Sequence, residues 1–336
     1  MPTPHRVRAC LSFRLRWRFV AVAVFLAALC SVPALAAPAS PPRIYRLADT
    51  STFQKGCFDP CLCPVMFRGT PQGTFLLTAD GSDGLFNKYV VNEVNWNVKL
   101  PGGDVRITGS GTYRVGGEVA IQQQLSLDLK VGDDPVQHFD SGMVAGGGDF
   151  PRIAITISIH GQYCFDTVIG LDASPVPTDE IRFLKLRPES TFQQACTGPC
   201  LCAPGPLQRT SGRFSLVEME RDPLFAHYAI ASVNWQVSGD AATGASGHTI
   251  SGSGFYRVGG EVAIQQQMSL ELKIDSQAPA AFDSGVISGG GAFPPQIDIP
   301  VTSTEAACVT TTIYLHAATA RQKVAEPIPT TEGLAP

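Results

Sequence analysis

An internal repeat constrains the fold of this chain more than any other feature. Three segments recur along it: residues 52–63 as 191–202, 94–96 as 233–235, and 109–130 as 252–273. The last pair is identical at 19 of 22 positions. Each copy is about 135 residues long, which is an ordinary size for one domain. The sequence therefore predicts two tandem homologous domains.

Within each copy, apolar residues recur with a period of two. Val90, Val94 and Trp96 share one face of a predicted strand, while Asn95 and Lys99 share the other. Alternation of this kind is typical of antiparallel strands with one buried and one solvated face. We therefore predict an all-β fold, in which each repeat is an antiparallel β-sandwich or flattened barrel of about seven or eight strands. Trp96 and its counterpart Trp235 are expected in the cores.

The most strongly repeated segment contains a predicted hairpin. A three-residue loop, Gly116-Gly117-Glu118, keeps its apolar faces together, because a slip of one residue would turn every side chain over. This register pairs Val115 with Val119. It also pairs Tyr113 with Ile121. All four side chains are then expected to face the core.

The N-terminus has the order of a secretory signal peptide. Residues 1–36 contain five arginines, an apolar run and a final Ala-Leu-Ala, and they contain no acidic residue. The alternative is that residues 19–37 are retained as an uncleaved anchor. After residue 36 the chain keeps 20 basic and 29 acidic side chains, a formal net charge of −9. That charge disfavours nucleic acid as a partner.

These observations predict the organisation of the whole chain. The predicted segments are a signal peptide at 1–36, repeat 1 at 43–172, a linker at 173–180, repeat 2 at 181–320 and a disordered tail at 321–336. After removal of the signal, no further apolar run is long enough to span a membrane. The expected location is secreted or periplasmic, in the cell envelope.

The cysteines are expected to form disulfides rather than a metal site. Four of them fall in each repeat: Cys57, Cys61, Cys63, Cys164, and Cys196, Cys200, Cys202, Cys308. An even number in an exported chain indicates disulfide bonds. Because a bond between Cys61 and Cys63 is geometrically unfavourable, Cys164 is expected to bond one of them and Cys57 the other. The alternative is a four-thiolate metal site in each repeat.

One motif suggests catalysis. Asp140-Ser141-Gly142 returns as Asp283-Ser284-Gly285, and one D-S-G in each half of a duplicated chain resembles the bilobal aspartic peptidases. That resemblance implies that Asp140 and Asp283 share a proton and activate a water molecule for hydrolysis. The alternative is that each D-S-G is a turn that closes a strand.

A second set of polar residues indicates a binding face. The solvated sides of the repeated hairpins carry guanidinium and amide groups that suit sugar hydroxyls or another strand. The residues of this predicted face are Arg114, Gln122, Gln124, Arg257, Gln265 and Gln267. Gln123 and Gln266 fall instead on the apolar sides, where we expect each to bond a backbone group near Gly111 or Gly254.

Taken together, the sequence favours an exported, disulfide-stabilised tandem β-domain protein. It is expected to act as a binding or structural module for a protein or glycan ligand, without catalysis, metal or cofactor. The alternatives are an aspartic-type hydrolase and a thiolate metal-binding protein.

Overall fold

The computed structural model describes residues 41–64, 66–196, 200, 203–242, 244–294, 296–304 and 308–320. The predicted signal peptide and tail lie outside these ranges. The first set of strands comprises β1 (Arg43–Leu47), β2 (Thr52–Cys57), β3 (Met66–Gly69), β4 (Pro71–Ser82), β5 (Phe86–Leu100), β6 (Gly103–Gly116), β7 (Gln122–Val131), β8 (Gln137–Asp140), β9 (Val144–Ala145), β10 (Ile153–Ser158) and β11 (Phe165–Pro175).

A short 3-10 helix, Thr178–Glu180, then precedes the second set of strands. These comprise β12 (Ile181–Leu186), β13 (Thr191–Cys196), β14 (Gln208–Arg221), β15 (Phe225–Val237), β16 (His248–Gly259), β17 (Gln265–Ile274), β18 (Ala280–Asp283), β19 (Ile287–Ser288), β20 (Gln296–Ser303) and β21 (Val309–Thr319). The segment predicted as a linker, 173–180, thus begins as the end of β11, where it pairs with β1.

Each set of strands forms one closed antiparallel sheet. In the first sheet the order is β1-β4-β5-β6-β7-β8-β10-β11, and β11 pairs with β1 to complete the ring. The second ring is β12-β14-β15-β16-β17-β18-β20-β21, closed by β12 and β21. The remaining strands in the described residues extend these rings at their margins. The predicted all-β, antiparallel, duplicated fold is confirmed.

Alternating side chains fill the interior of each ring, as the period of two predicts. In β10, Ile153, Ile155 and Ile157 are buried. Trp96 and Trp235 are fully buried in the two cores, which confirms their predicted position. Each packs edge-on against a phenylalanine of the neighbouring strand, at 6.3 Å in repeat 1 and 5.9 Å in repeat 2.

A β-bulge in β5 places some of its side chains on the face opposite to the predicted one. The register with β6 shifts between Val91 and Val94, and Glu93 within the bulge has a φ of 51°. Both Val91 and Val94 therefore face the core at 1% exposure, whereas Val90 is only half-buried. The prediction that Val90 and Val94 share a face was wrong because an extra bulge residue reverses the alternation. The same bulge occurs in β15 at Ser232 (φ 55°).

The predicted register of the repeated hairpin was also wrong. Val115 pairs with Gln123 rather than Val119, and Tyr113 pairs with Leu125 rather than Ile121. The connection is therefore the five residues between Gly116 and Gln122, and Val119 lies on it at 99% exposure. A shift of four residues preserves the facing of every side chain, so alternation could not distinguish the two registers.

Disulfide bonds fasten the start of repeat 1 to its last strand. Cys61 is bonded to Cys164 and Cys57 to Cys63, which is one of the two pairings left open by the sequence. No thiol of this repeat is therefore free to bind a metal ion as the alternative required. In repeat 2, a bond joins Cys200 to Cys308. Cys196 is also disulfide-bonded, and Cys202 lies outside the described residues.

The two repeats contact each other directly. A small apolar cluster joins Ile44, Leu76 and Val176 to Val217 and Ala231. This cluster is separate from the two ring interiors, so the repeats share a minor core of their own. Its residues come from β1, β4 and the segment after β11 on one side and from β14 and β15 on the other.

Candidate functional site

The D-S-G motif fastens β8 to β7 in each repeat. The Asp140 carboxylate accepts hydrogen bonds from the Gln124 amide (3.0 Å) and the Gly142 backbone N–H. The Ser141 hydroxyl accepts from the Leu125 backbone N–H at 3.0 Å. Asp283 and its neighbours repeat this arrangement. In each repeat these hydrogen bonds are local, within the motif and to the neighbouring strand, as in a turn that closes a strand.

Gln123 and Gln266 are buried connectors. Gln123 accepts a hydrogen bond from the Tyr113 hydroxyl (3.0 Å) and donates one to the Ala154 carbonyl (2.8 Å). Gln266 makes the same two bonds in repeat 2, to Tyr256 and Asp298. Each does bond a backbone group, but that group lies on β10 or β20 rather than near Gly111 or Gly254.

Glycines make room for these buried amides. A side chain at Gly146 would meet the Gln123 amide nitrogen at 2.5 Å, and one at Gly147 would meet Val115 at 2.4 Å. The repeated triple glycine therefore allows the loop after β9 to pack on the buried amide. No ligand is needed to explain it.

The predicted binding face of repeat 1 is built from three adjacent strands. Arg114 on β6 donates to the Gln124 carbonyl oxygen on β7 (2.9 Å), and the Gln124 amide nitrogen donates to Asp140 at the end of β8. The Arg114 guanidinium also lies over the Phe86 ring at 5.4 Å. Hydrogen bonding and stacking together hold the planar group in one orientation.

This face lines an open cavity of ≈ 290 Å³, which we call the first-repeat cavity. Its lining residues are Asp80, Lys88, Tyr89, Thr112, Tyr113, Arg114, Gln124 and Ser126. All eight come from β4 to β7 of repeat 1. Gln122, which was predicted on the same face, is exposed next to β9 and does not line the cavity.

Repeat 2 has a counterpart of this cavity, with a volume of ≈ 450 Å³. The counterparts of the eight residues are Met219, His227, Tyr228, Phe255, Tyr256, Arg257, Gln267 and Ser269, and all of them line it. The structure thus brings together Arg257 and Gln267 of the predicted face, while Gln265 lies outside the lining. Duplication has preserved a cavity as well as a fold.

The second cavity is completed by residues from repeat 1, and we call it the inter-repeat cavity. The additional residues are Gln72, Asn97, Lys99, Asp104 and Arg106, together with Glu220 of repeat 2. Lys99 forms an ion pair with Glu220, which also accepts a hydrogen bond from Gln72 at 3.3 Å. The strand ends of repeat 1 therefore form one wall of a cavity whose other wall belongs to repeat 2.

Arg106 lies at the centre of this junction. It donates hydrogen bonds to Asn95 (3.1 Å) and the Ser253 carbonyl (3.4 Å), and its guanidinium stacks over Phe255 at 5.6 Å. Burial lowers the pKa of Arg106, although Glu271 and Asp283 lie close enough to oppose that effect. Its Nε is buried and has no hydrogen-bond partner within the described residues.

Burial shows that the contact between the repeats is not symmetric. Asn95 is fully buried and donates to the Gly254 carbonyl at 2.7 Å, whereas its counterpart Asn234 is exposed. Likewise Ser253 is buried and Ser110 is exposed. The two repeats therefore bury different parts of their polar faces, since β5 of repeat 1 covers β16 of repeat 2 while Asn234 on β15 and Ser110 on β6 stay exposed.

A third cavity of ≈ 730 Å³ lies where the two repeats diverge. Six of its lining residues from repeat 1 are matched by their counterparts in repeat 2: Thr108 and Ser251, Gly109 and Gly252, Ser110 and Ser253, Asp128 and Glu271, Lys130 and Lys273, Val136 and Pro279. Glu93 lines it too and accepts a hydrogen bond from the Ser232 backbone N–H (2.8 Å). Burial raises the pKa of Glu93 to about 7.

Sequence reasoning missed both Arg106 and Glu93. Alternation places each on the solvated side of a strand, which is correct for a single repeat. Neither residue has an equivalent charge in the other copy, because Thr249 and Ser232 stand there. A charged residue in one repeat with an uncharged counterpart in the other was the sequence signal that could have identified both residues.

Comparisons with known proteins do not assign the chain to a family. No family model matches it, and no curated protein matches it either. Among solved structures, it is similar to a "putative outer membrane protein" from Bacteroides fragilis, at 7% identity and a TM-score of 0.22. That match covers 81% of this chain and 96% of the other. So low a TM-score supports no argument about function.

Proposed function

We propose that the chain is an exported binding module that recognises a hydroxyl-rich ligand, a glycan, through its duplicated Arg/Gln cavities and without catalysis. The observation that carries this proposal is that all eight lining positions of the first-repeat cavity recur around the inter-repeat cavity, five of them with the same residue type. A sheet face that only contacts solvent has no need of a concave surface. Two matching concave surfaces are therefore better explained by binding than by solvation alone.

The chemistry of both cavities suits sugars. Arg114 and Gln124 present several donors and acceptors in fixed positions, and Tyr89 adds an aromatic surface at the same cavity. In the inter-repeat cavity Arg257, Gln267 and Tyr228 supply the same groups. Sites for small molecules combine apolar surface with a few well-placed polar groups in this way.

The disulfide bonds indicate the kind of compartment in which the proposed module acts. Bonds of this kind persist in oxidising compartments, which indicates the cell envelope or the extracellular space. Within that setting we propose a secreted or periplasmic location. In the part of the chain that the structure describes, no helix is long and apolar enough to cross a membrane.

A glycan array probed with the purified chain from residue 37 tests the proposal. We expect retention of at least one class of glycan, and loss of that signal when the Arg and Gln of one cavity are replaced, as in Arg114→Ala with Gln124→Ala, or Arg257→Ala with Gln267→Ala. Glu118→Ala, on the exposed hairpin loop, is the matched control and should leave the signal unchanged. Retention that is not weakened even when all four residues are replaced together, or no retention by the unmodified protein, would contradict the proposal.

A further inference from the structure

The inter-repeat cavity differs from the first-repeat cavity in its charge. Arg106 and Arg257 both line it, and within the described residues no carboxylate oxygen lies within 4.0 Å of either guanidinium group, although Glu271 and Asp283 interact with Arg106 at longer range. By contrast, Lys99 is paired with Glu220, and Asp104 accepts a hydrogen bond from Asn97 at 3.0 Å. Lys99 and Glu220 therefore neutralise each other, and two guanidinium groups remain at the cavity against one lining carboxylate, that of Asp104.

A guanidinium group without a carboxylate partner favours an acidic ligand. It offers paired N–H donors whose spacing matches the two oxygens of a carboxylate, and it is weakly hydrated, so pairing costs little desolvation. The buried Nε of Arg106 has a donor that nothing in the described structure accepts. An unsatisfied buried donor is unfavourable, so the protein atoms around Arg106 leave its guanidinium group incompletely satisfied.

The remaining lining favours a sugar ring as the body of that ligand. Gln267, Ser269 and Asn97 add amide and hydroxyl groups, and Phe255 presents an aromatic ring under Arg106. The volume of ≈ 450 Å³ lies within the usual range for small-molecule sites and suits one or two sugar rings.

On these grounds, we propose that the inter-repeat cavity binds a sugar carboxylate, such as a uronic acid, with Arg106 and Arg257 pairing with its carboxylate. This inference rests on the proposed function and narrows it to one cavity and one ligand class. The first-repeat cavity has Thr112 in place of Phe255 and no residue from the other repeat. It therefore should not share this preference.

Isothermal titration of the intact disulfide-bonded protein tests the proposal with defined probes. Glucuronate should bind saturably, while glucose, which lacks the carboxylate, and acetate, which lacks the hydroxyls, should bind at least about tenfold more weakly. Digalacturonate identifies the source of the ligand: tighter binding than glucuronate indicates a glycan chain, and equal or weaker binding indicates a free sugar acid.

Matched variants locate the site. Arg257→Gln keeps hydrogen-bonding groups and removes the charge, and we expect it to weaken glucuronate binding by about 10- to 100-fold. Arg106→Gln should do the same. Because Arg106 also holds the repeats together, Arg257→Gln decides the outcome if Arg106→Gln fails to fold. Arg209→Gln makes the same change at an exposed arginine that lines none of the cavities described above, and it should alter the affinity by less than about twofold.

Several results would overturn the inference. These are equal binding of glucose and glucuronate, equal binding of acetate, no saturation by either uronate, or unchanged affinity in Arg257→Gln. If uronates fail while neutral glycans are retained on the array through Arg114 and Gln124, the acidic-ligand inference falls and the proposed function stands. If no glycan is retained at all, both fall.

Discussion

Replacing Glu93 by glutamine tests whether the contact between the repeats carries an energetic cost at neutral pH. Glu93 lines the cleft between the repeats, and its carboxylate accepts a hydrogen bond from Ser232. Burial raises its pKa from 4.5 to about 7, and the Ser232 N–H opposes that shift only in part. The folded protein therefore prefers the protonated form of this side chain.

The sign of the pH dependence follows from that shift. Because the folded pKa lies above the unfolded pKa, this group destabilises the folded state progressively as the pH rises from about 4.5 to about 7, and the effect is constant above that. A difference of about 2.5 pKa units corresponds to at most ~3 kcal/mol at ~1.4 kcal/mol per unit. Since Glu93 faces a cleft and is only partly buried, we expect about 1–3 kcal/mol.

Urea denaturation of the disulfide-intact protein measures this effect. In Glu93→Gln the side-chain carbonyl still accepts the bond from Ser232, but no charge is buried. The variant should therefore match the unmodified protein at pH 4 and exceed it by about 1–3 kcal/mol at pH 8. Val119→Ala, at an exposed loop position that carries no charge, should give a difference that does not vary with pH. A pH-independent difference for Glu93→Gln, or a loss of stability at pH 8, would refute the reasoning.

Three further changes follow from the contacts within the repeats. Gln123→Leu should cost about 2–4 kcal/mol in urea denaturation, because it leaves the Tyr113 hydroxyl and the Ala154 carbonyl buried without partners; adding Tyr113→Phe should restore part of the loss, and a neutral Gln123→Leu would contradict this. Cys61→Ser with Cys164→Ser opens a loop of 103 residues and should lower the free energy of unfolding by about 4–5 kcal/mol. Cys57→Ser with Cys63→Ser opens a loop of only 6 residues and should lower it by about 2 kcal/mol, so equal losses would argue against loop length as the cause. Val119→Ser should change the free energy of unfolding by less than about 0.5 kcal/mol, because Val119 is exposed; a cost of 2 kcal/mol or more would favour the register in which it faces the core.

The sequence predicted the architecture because the signals for it are local and repeated. Alternation along β10 and the position of Trp96 required no knowledge of distant residues, and both are confirmed. The cysteine pairing was narrowed to two possibilities by the geometry of neighbours in an extended chain. These inferences depend only on the local geometry of an extended chain, which is the same in every regular strand.

Two local predictions failed where the chain departs from regular strands. The bulge at Glu93 reverses the alternation within β5. A glycine at the bulge would have indicated it in the sequence, but here Glu93 itself adopts the positive φ. The hairpin loop contains Val119 and Ile121, both exposed, so apolar character pointed to a core position that they do not occupy. The predicted facing was right for Val115 and Tyr113, but it was wrong for Val119 and Ile121, as was the register.

The site could be predicted only in part. Arg114 and Gln124 were identified because they face solvent in a repeated hairpin, and the structure places them at one cavity. Arg106 was not identified, because its role arises only when β6 of repeat 1 meets Phe255 of repeat 2. The alternation of apolar and polar residues within a repeat does not show how the two folded repeats pack on each other. A site built from both repeats, such as the one around Arg106, is therefore visible only in the structure.

The most direct test of glycan binding at the duplicated cavities is the location of bound ligand on the intact protein. In an isotope-labelled sample titrated with a glycan retained on the array, we expect the backbone amide shifts to change at residues lining one or both cavities, foremost next to Arg114 and Gln124 or next to Arg257 and Gln267. Changes confined to other surfaces, such as the exposed loop around Val119, would contradict it.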